Sequence, residues 1–118
     1  KTGFNYLPIL KKEILRTLQT VEKPIKRADL LFHLRGLGFQ VTDRELRSTI
    51  EEMIVKDQVN IESSHLGYGL IKTEVDLNRA MEYLNLKAKS IAIRKNCLLR
   101  NWTNKVQTDK KQFQPTLF

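Results

Sequence analysis

Cysteine is almost absent from this chain of 118 residues: Cys97 stands alone, so no internal disulfide can form, which suits a reducing compartment. The 3 prolines and 5 glycines leave few places where a helix must break, and Pro24, Gly36, Gly38, Gly67 and Gly69 fall where the apolar pattern also changes. No long apolar run occurs in a composition that is 41% hydrophobic, so neither a membrane span nor a secretory signal core is expected, and the chain is read as soluble and cytoplasmic. His33, His65 and Cys97 have no zinc-ligand spacing, and there is no glycine-rich phosphate loop. The carboxylates fall on helix faces opposite lysines, so no catalysis, metal or cofactor is expected. Acidic residues are also in deficit, 13 against 21 Lys and Arg, giving a net charge of +8 that favours a polyanionic partner.

The length suits one domain plus an extension. Leu7, Leu10, Ile14, Leu15 and Leu18 recur at spacings of three and four and predict a first helix over Leu7–Gln19. Pro24 disfavours helical geometry at the residue before it, and Pro24-Ile-Lys26 is expected to form a short strand. A second helix is predicted from about Lys26 to Arg35, with Ala28, Leu30, Leu31 and Leu34 facing inward and Gly36 and Gly38 ending it. Thr42-Asp-Arg-Glu45 reads as a capping box opening a third helix, whose buried stripe is Leu46, Ile50, Met53 and Ile54 and which stops at Lys56-Asp57.

Directly behind the third helix, Val59 to Thr73 holds two β-branched-rich runs joined by a glycine-containing tip, the pattern of a β-hairpin. Leu77, Ala80, Met81, Leu84, Ala88, Ile91, Leu98 and Trp102 then predict one long helix of about thirty residues, on the order of 45 Å. Periodicity is lost after residue 106, so 107–118 reads as a flexible tail. The expected architecture is mainly α with a small β-hairpin: a winged helix-turn-helix in residues 1–73, a long basic C-terminal helix in 74–106, and the tail.

In that fold the third helix enters a DNA groove. Its exposed face would offer Arg44, Arg47 and Ser48 to guanine edges or phosphates, although two arginines are also ordinary on a solvated helix and Glu51 and Glu52 would repel phosphate. In the wing, His65 and Lys72 would touch the DNA backbone or minor groove, with a solvated loop as the alternative for His65. Gly67 and Gly69 would serve the turn and a close approach. From Glu74 onward nine basic residues face four acidic ones, and Lys87, Arg94 and Lys95 would form part of a phosphate-binding arm on duplex or single-stranded DNA. The alternative use of this helix is to dock its apolar stripe on the first helix or on a second protomer. A homodimer through Ile91, Leu98 and Trp102 has Lys95 at its seam.

The run Ile61-Glu-Ser-Ser-His-Leu-Gly-Tyr-Gly-Leu-Ile-Lys-Thr-Glu-Val-Asp-Leu77 resembles a family of small winged-helix proteins of bacteriophages and prophages, over roughly residues 7–95. In that family a Ser-Ser-x-x-Gly-Tyr wing leads through a Thr-x-x-Asp-Leu helix start into a long basic helix. The resemblance implies DNA binding in phage replication or transcription control, with Tyr68 and Leu70 as packing residues. The final Gln114-Pro-Thr-Leu-Phe118 is similar to the bacterial sliding-clamp-binding pentapeptide, which implies Gln114, Leu117 and Phe118 as anchors for a host clamp. Pro115 departs from the usual leucine, and the alternative is that the tail's apolar residues fold back on the body. The leading expectation is therefore a phage DNA-binding protein of replication, with a dimeric transcriptional regulator and a protein-interaction module without DNA contact as its rivals.

Overall fold

The computed structural model describes residues 6–113. Helix α1, Leu7–Thr20, has a proline in its first turn, where the missing N–H costs nothing, and buries Leu10, Ile14, Thr17 and Leu18. The buried Thr17 hydroxyl is satisfied by donating to the Glu13 carbonyl at 2.9 Å. Helix α2, Arg27–Gly36, buries Leu30 and Leu34. Ala28 is exposed and Leu31 only half-buried, contrary to the sequence reading, because residues one or two positions from Leu30 are turned about 100° or 200° off its line. Gly38 takes the left-handed conformation (φ 104°) beyond the helix end, and the Phe39 N–H returns to the Leu34 carbonyl at 3.1 Å.

Helix α3, Asp43–Val55, opens with both halves of the capping box: the Glu45 N–H donates to Thr42 Oγ1 at 3.1 Å and the Thr42 N–H donates to Glu45 Oε1 at 2.9 Å. Its buried stripe is Leu46, Thr49, Ile50 and Met53. Ile54, expected inside, is 37% exposed, since Thr49 rather than Ile54 completes the inward face.

Strands β1, Ile61–Ser64, and β2, Gly67–Leu70, form an antiparallel hairpin with Ile61 opposite Leu70 and Ser64 opposite Gly67. His65 and Leu66 make the tip. The strand expected at Pro24–Lys26 is reduced to one bridge: Ile25 and Tyr68 exchange backbone hydrogen bonds of 2.7 and 2.8 Å. Gly67 is required there, because its φ is 119° and any Cβ would strike the Ile25 carbonyl.

One cluster joins these elements: Leu10, Ile14 and Leu18 of α1, Leu30 and Leu34 of α2, Val41, Leu46, Ile50 and Met53 of α3, and Ile61 and Tyr68 of the hairpin. Truncating any of its fully buried leucines to alanine would cost about 2–5 kcal/mol.

Helix α4, Glu74–Phe113, is the last element. It runs past residue 106, so residues 107–113, expected as tail, are helical. Loss of an apolar stripe does not end a helix when no breaker intervenes before Pro115, and the Lys105–Asp109 ion pair at 3.2 Å spans one turn of this part. Of the apolar residues expected to form the α4 stripe, Ala80 alone is buried. The chain divides into two compact units between Tyr83 and Leu84, so that Glu74–Tyr83 of α4 belongs with the helices and hairpin before it. Among the described residues no helix is long and apolar enough to cross a membrane.

Candidate nucleic-acid interface

The capping box fixes where α3 begins and therefore which side chains its first turns display. Leu46 and Ile50 point into the core, so Arg44, Arg47 and Ser48 lie on the outer face, and all three are exposed. Arg47 is held by a neighbour on its own helix, its Nε lying 3.5 Å from Asp43 Oδ2. The other oxygen of Asp43 accepts from Arg27 Nε at 2.7 Å. Asp43 thus draws together Arg27 at the start of α2 and Arg47 on α3. Arg27 escaped the sequence reading, having no periodic signal and lying sixteen positions from its partner.

Strand β2 reaches the same neighbourhood. Burial pushes the Tyr68 hydroxyl above the usual phenol range, and the positive charges of Arg27 and Arg47 act on it in the opposite sense. Tyr68 is buried among core residues, in accord with the packing role read from the sequence.

Of the acidic residues that would oppose an anion, Glu52 is compensated. Lys11 of α1 donates to Glu52 Oε2 at 2.8 Å and lies 2.9 Å from Asp57 Oδ2, and these two bonds raise the Lys11 pKa. Glu51 is exposed.

At the hairpin tip, the exposed His65 sets its ring 6.5 Å from that of Tyr83, and its carbonyl accepts from Lys26 Nζ at 3.3 Å. The Lys72 side chain is exposed, while its backbone N–H donates to Asp76 Oδ2 at 3.0 Å. Thr73 closes the start of α4, its hydroxyl accepting from the Asp76 N–H at 3.2 Å. The backbone N–H of Lys72, then the Arg79 guanidinium and the Thr73 N–H, hold the Asp76 carboxyl below the ordinary aspartate range.

A buried ion pair supports the hairpin from behind. Glu62, only 1% exposed, accepts from Arg79 Nε at 2.6 Å and Nη2 at 2.8 Å, and from the Ser64 hydroxyl at 2.6 Å. Arg79 also donates to Asp76 Oδ1 at 2.9 Å. The Arg79 bonds hold the Glu62 carboxyl below the usual range against the opposing effect of burial, and Glu62 raises the Arg79 pKa in return. Beside this pair lies a cleft of 410 Å³ whose lining includes Lys23, Lys26 and Lys72.

Lys87, Arg94 and Lys95 are exposed but belong to the second compact unit, so Arg44, Arg47, Ser48, His65 and Lys72 are the expected contacts that share one unit. Gln114, Leu117 and Phe118 lie outside the described residues. His33 approaches Glu13 of α1, at 3.8 Å from Nε2 to Oε2. No group of three or more His, Cys, Asp or Glu side chains that could hold a metal ion occurs among the described residues. Compared with protein families, with curated proteins and with solved structures, the chain matches none of them.

Proposed function

We propose that this chain is a winged helix-turn-helix DNA-binding protein, in which α3 is the groove-reading helix and the β1–β2 hairpin is the wing. The observation that carries the reading is the exposed Arg44–Arg47–Ser48 face at the capped start of α3, within the unit that also carries the hairpin tip. Element order supports it: helix, a bridging residue at Ile25, two helices separated by a six-residue turn, then a hairpin whose second strand pairs with Ile25. An N-terminal turn with guanidinium forks is suited to phosphates and guanine edges, and Lys26, Lys72 and His65 extend the cationic surface to the wing. The long helix adds Lys87, Arg94 and Lys95 as a source of sequence-independent affinity.

Within this reading the protein acts in bacteriophage DNA replication, and its terminal Gln114, Leu117 and Phe118 engage a host sliding clamp. The support for that part is the similarity of the last five residues to the clamp-binding pentapeptide. Anisotropy titration of labelled duplex and single-stranded DNA across a salt series tests the DNA part, with Arg44→Ala/Arg47→Ala as control. Clamp titration with residues 114–118 deleted tests the other.

A second reading, a module that binds protein rather than DNA, is favoured by one observation. Asp43 already engages Arg27 and Arg47, and Glu51 is exposed further along α3. No DNA binding by the intact chain at low salt would favour it.

A further inference from the structure

The α1–α2 connection, the β1–β2 hairpin and the first turns of α4 enclose a cleft of 410 Å³, within the range of about 300–1,000 Å³ that takes a small organic ligand. Every residue lining it lies in the first compact unit, so its shape is set within one body. Half-buried Val21, Pro24, Leu66 and Leu70 give it apolar walls. Gly69 shapes one of them: a Cβ there would lie 3.2 Å from Pro24 Cα, so bare backbone lets the connection close on β2.

The charged lining residues divide by what they already hold. Both Glu62 oxygens accept from Arg79, with the Ser64 hydroxyl adding a bond to Oε2. Asp76 accepts from Arg79 on one oxygen and from the Lys72 and Thr73 N–H groups on the other. These two carboxylates have little capacity left for a ligand. Arg79 donates through Nε and Nη2, which leaves the two N–H groups of Nη1 uncommitted among the described residues. Lys23, Lys26 and Lys72 are exposed around the cleft and form no ion pair among the described residues; Lys26 gives one bond, to the His65 carbonyl at 3.3 Å. In formal count the four lining cations exceed the three carboxylates, Glu22, Glu62 and Asp76, by one. What is uncommitted is more one-sided: three ammonium groups and the open end of a guanidinium against the Glu22 carboxylate.

We infer that this cleft binds a small phosphate monoester with an apolar body of about one ring, its phosphoryl group held by Lys23, Lys26, Lys72 and Arg79 and its body by the apolar walls. A phosphate monoester carries about −1.5 to −2 charges and three acceptor oxygens at neutral pH, which matches several ammonium groups and the Nη1 donors better than the single charge of a carboxylate. The walls discriminate in turn between such an ester and inorganic phosphate. Lys26 and Lys72 also belong to the surface assigned to DNA, whereas Lys23 and the cleft walls do not, so cleft binding and DNA binding can fail separately.

Titration of the intact chain with phenyl phosphate, followed by amide NMR, tests the site, with benzoate and inorganic phosphate as comparison probes. Saturable shifts centred on the amides of Lys23, Leu66, Gly69, Leu70 and Lys72 and on the Arg79 side-chain N–H groups are expected, with each comparison probe weaker by roughly tenfold. Lys23→Ala with Lys72→Ala should weaken phenyl phosphate by roughly tenfold or more while leaving thermal unfolding unchanged, because both side chains are exposed. Lys12→Ala with Lys56→Ala removes the same charge from exposed positions outside the cleft and should change binding by less than about twofold. Equal weakening by the two double variants overturns the inference, because it would mean attraction to net charge alone. So does benzoate or inorganic phosphate binding as tightly as phenyl phosphate, or no saturable shift up to about 10 mM phenyl phosphate. Shifts at these amides that appear only with an oligonucleotide carrying a terminal phosphate, never with phenyl phosphate, overturn it as well.

Discussion

The Arg79 guanidinium straddles the Glu62 carboxylate, donating to both oxygens at 2.6 and 2.8 Å across seventeen residues of chain. Glu62 belongs to the first strand of the hairpin and Arg79 to the second turn of α4, so this pair clamps the hairpin onto the helix that follows it. Ser64 adds a third bond to the carboxylate, and Asp76 shares the arginine while closing the N-terminus of α4. The hairpin therefore has a fixed base from which to present His65 at its tip.

Replacing Arg79 with methionine leaves the Glu62 carboxylate buried with only the Ser64 hydroxyl. A loss of about 3 kcal/mol is expected, at the low end for a broken buried pair because the arginine retains some contact with water. Exchanging both residues, Glu62→Leu with Arg79→Leu, should recover most of it. Urea unfolding of the three chains checks this; a double variant no more stable than Arg79→Met would show that the pair is not the unit of stability.

The same pair sets the acid limit. Glu62 has a folded-state pKa below its ordinary value of 4.5, so its contribution is present above about pH 4.5 and is lost as pH falls through the folded value. Asp76, also lowered, acts in the same sense below about pH 3.8. At the alkaline end, Tyr68 and Lys11 have raised pKa values, so their contributions are complete below about pH 10 and decline as pH rises above it. Thermal melts from pH 2 to pH 11 should fall at both ends, and Glu62→Leu with Arg79→Leu should flatten the acid limb.

What could be read from sequence was local. The capping box spans the four residues Thr42 to Glu45, the hairpin announces itself through Gly67 and Gly69, and the three core helices follow the spacing of their leucines, so each lies within a few residues of its expected place. The departures from the apolar pattern have physical causes. Ala28, Leu31 and Ile54 are apolar, yet the helix turn puts them beside the buried line. The stretch 107–113 is helical without an apolar stripe, because uninterrupted helix-forming residues suffice. The pairs Glu62–Arg79, Arg27–Asp43 and Lys11–Glu52 join residues seventeen, sixteen and forty-one positions apart. Nothing in a charge pattern marks which carboxylate a distant arginine will find.

Gly67 should tolerate no side chain. Alanine there must hold a φ near 119° and press its Cβ on the Ile25 carbonyl, so Gly67→Ala is expected to cost on the order of 3 kcal/mol and to loosen the Ile25–Tyr68 bridge. Amide exchange at Tyr68, rising well above that of the Leu34 amide in the core, is the signature; unchanged protection would refute the close approach.

Asp43 restrains the two arginines it binds. Asp43→Asn removes a negative charge from the α3 face and frees Arg27 and Arg47, so DNA affinity at low salt should rise by roughly three- to tenfold. Reduced affinity in competition binding would mean that the carboxylate holds Arg47 in its binding geometry.

The most direct measurement is the salt dependence of DNA affinity for the intact chain and for Arg44→Ala/Arg47→Ala, read by fluorescence anisotropy on duplex and single-stranded DNA. The account requires salt-sensitive binding by the native chain, a loss of at least about tenfold in the variant, and a log–log slope shallower by roughly 0.9 for each phosphate contact removed on duplex DNA. Identical affinity and slope for the two proteins, or no DNA binding at low salt, would contradict α3 as the groove-reading helix.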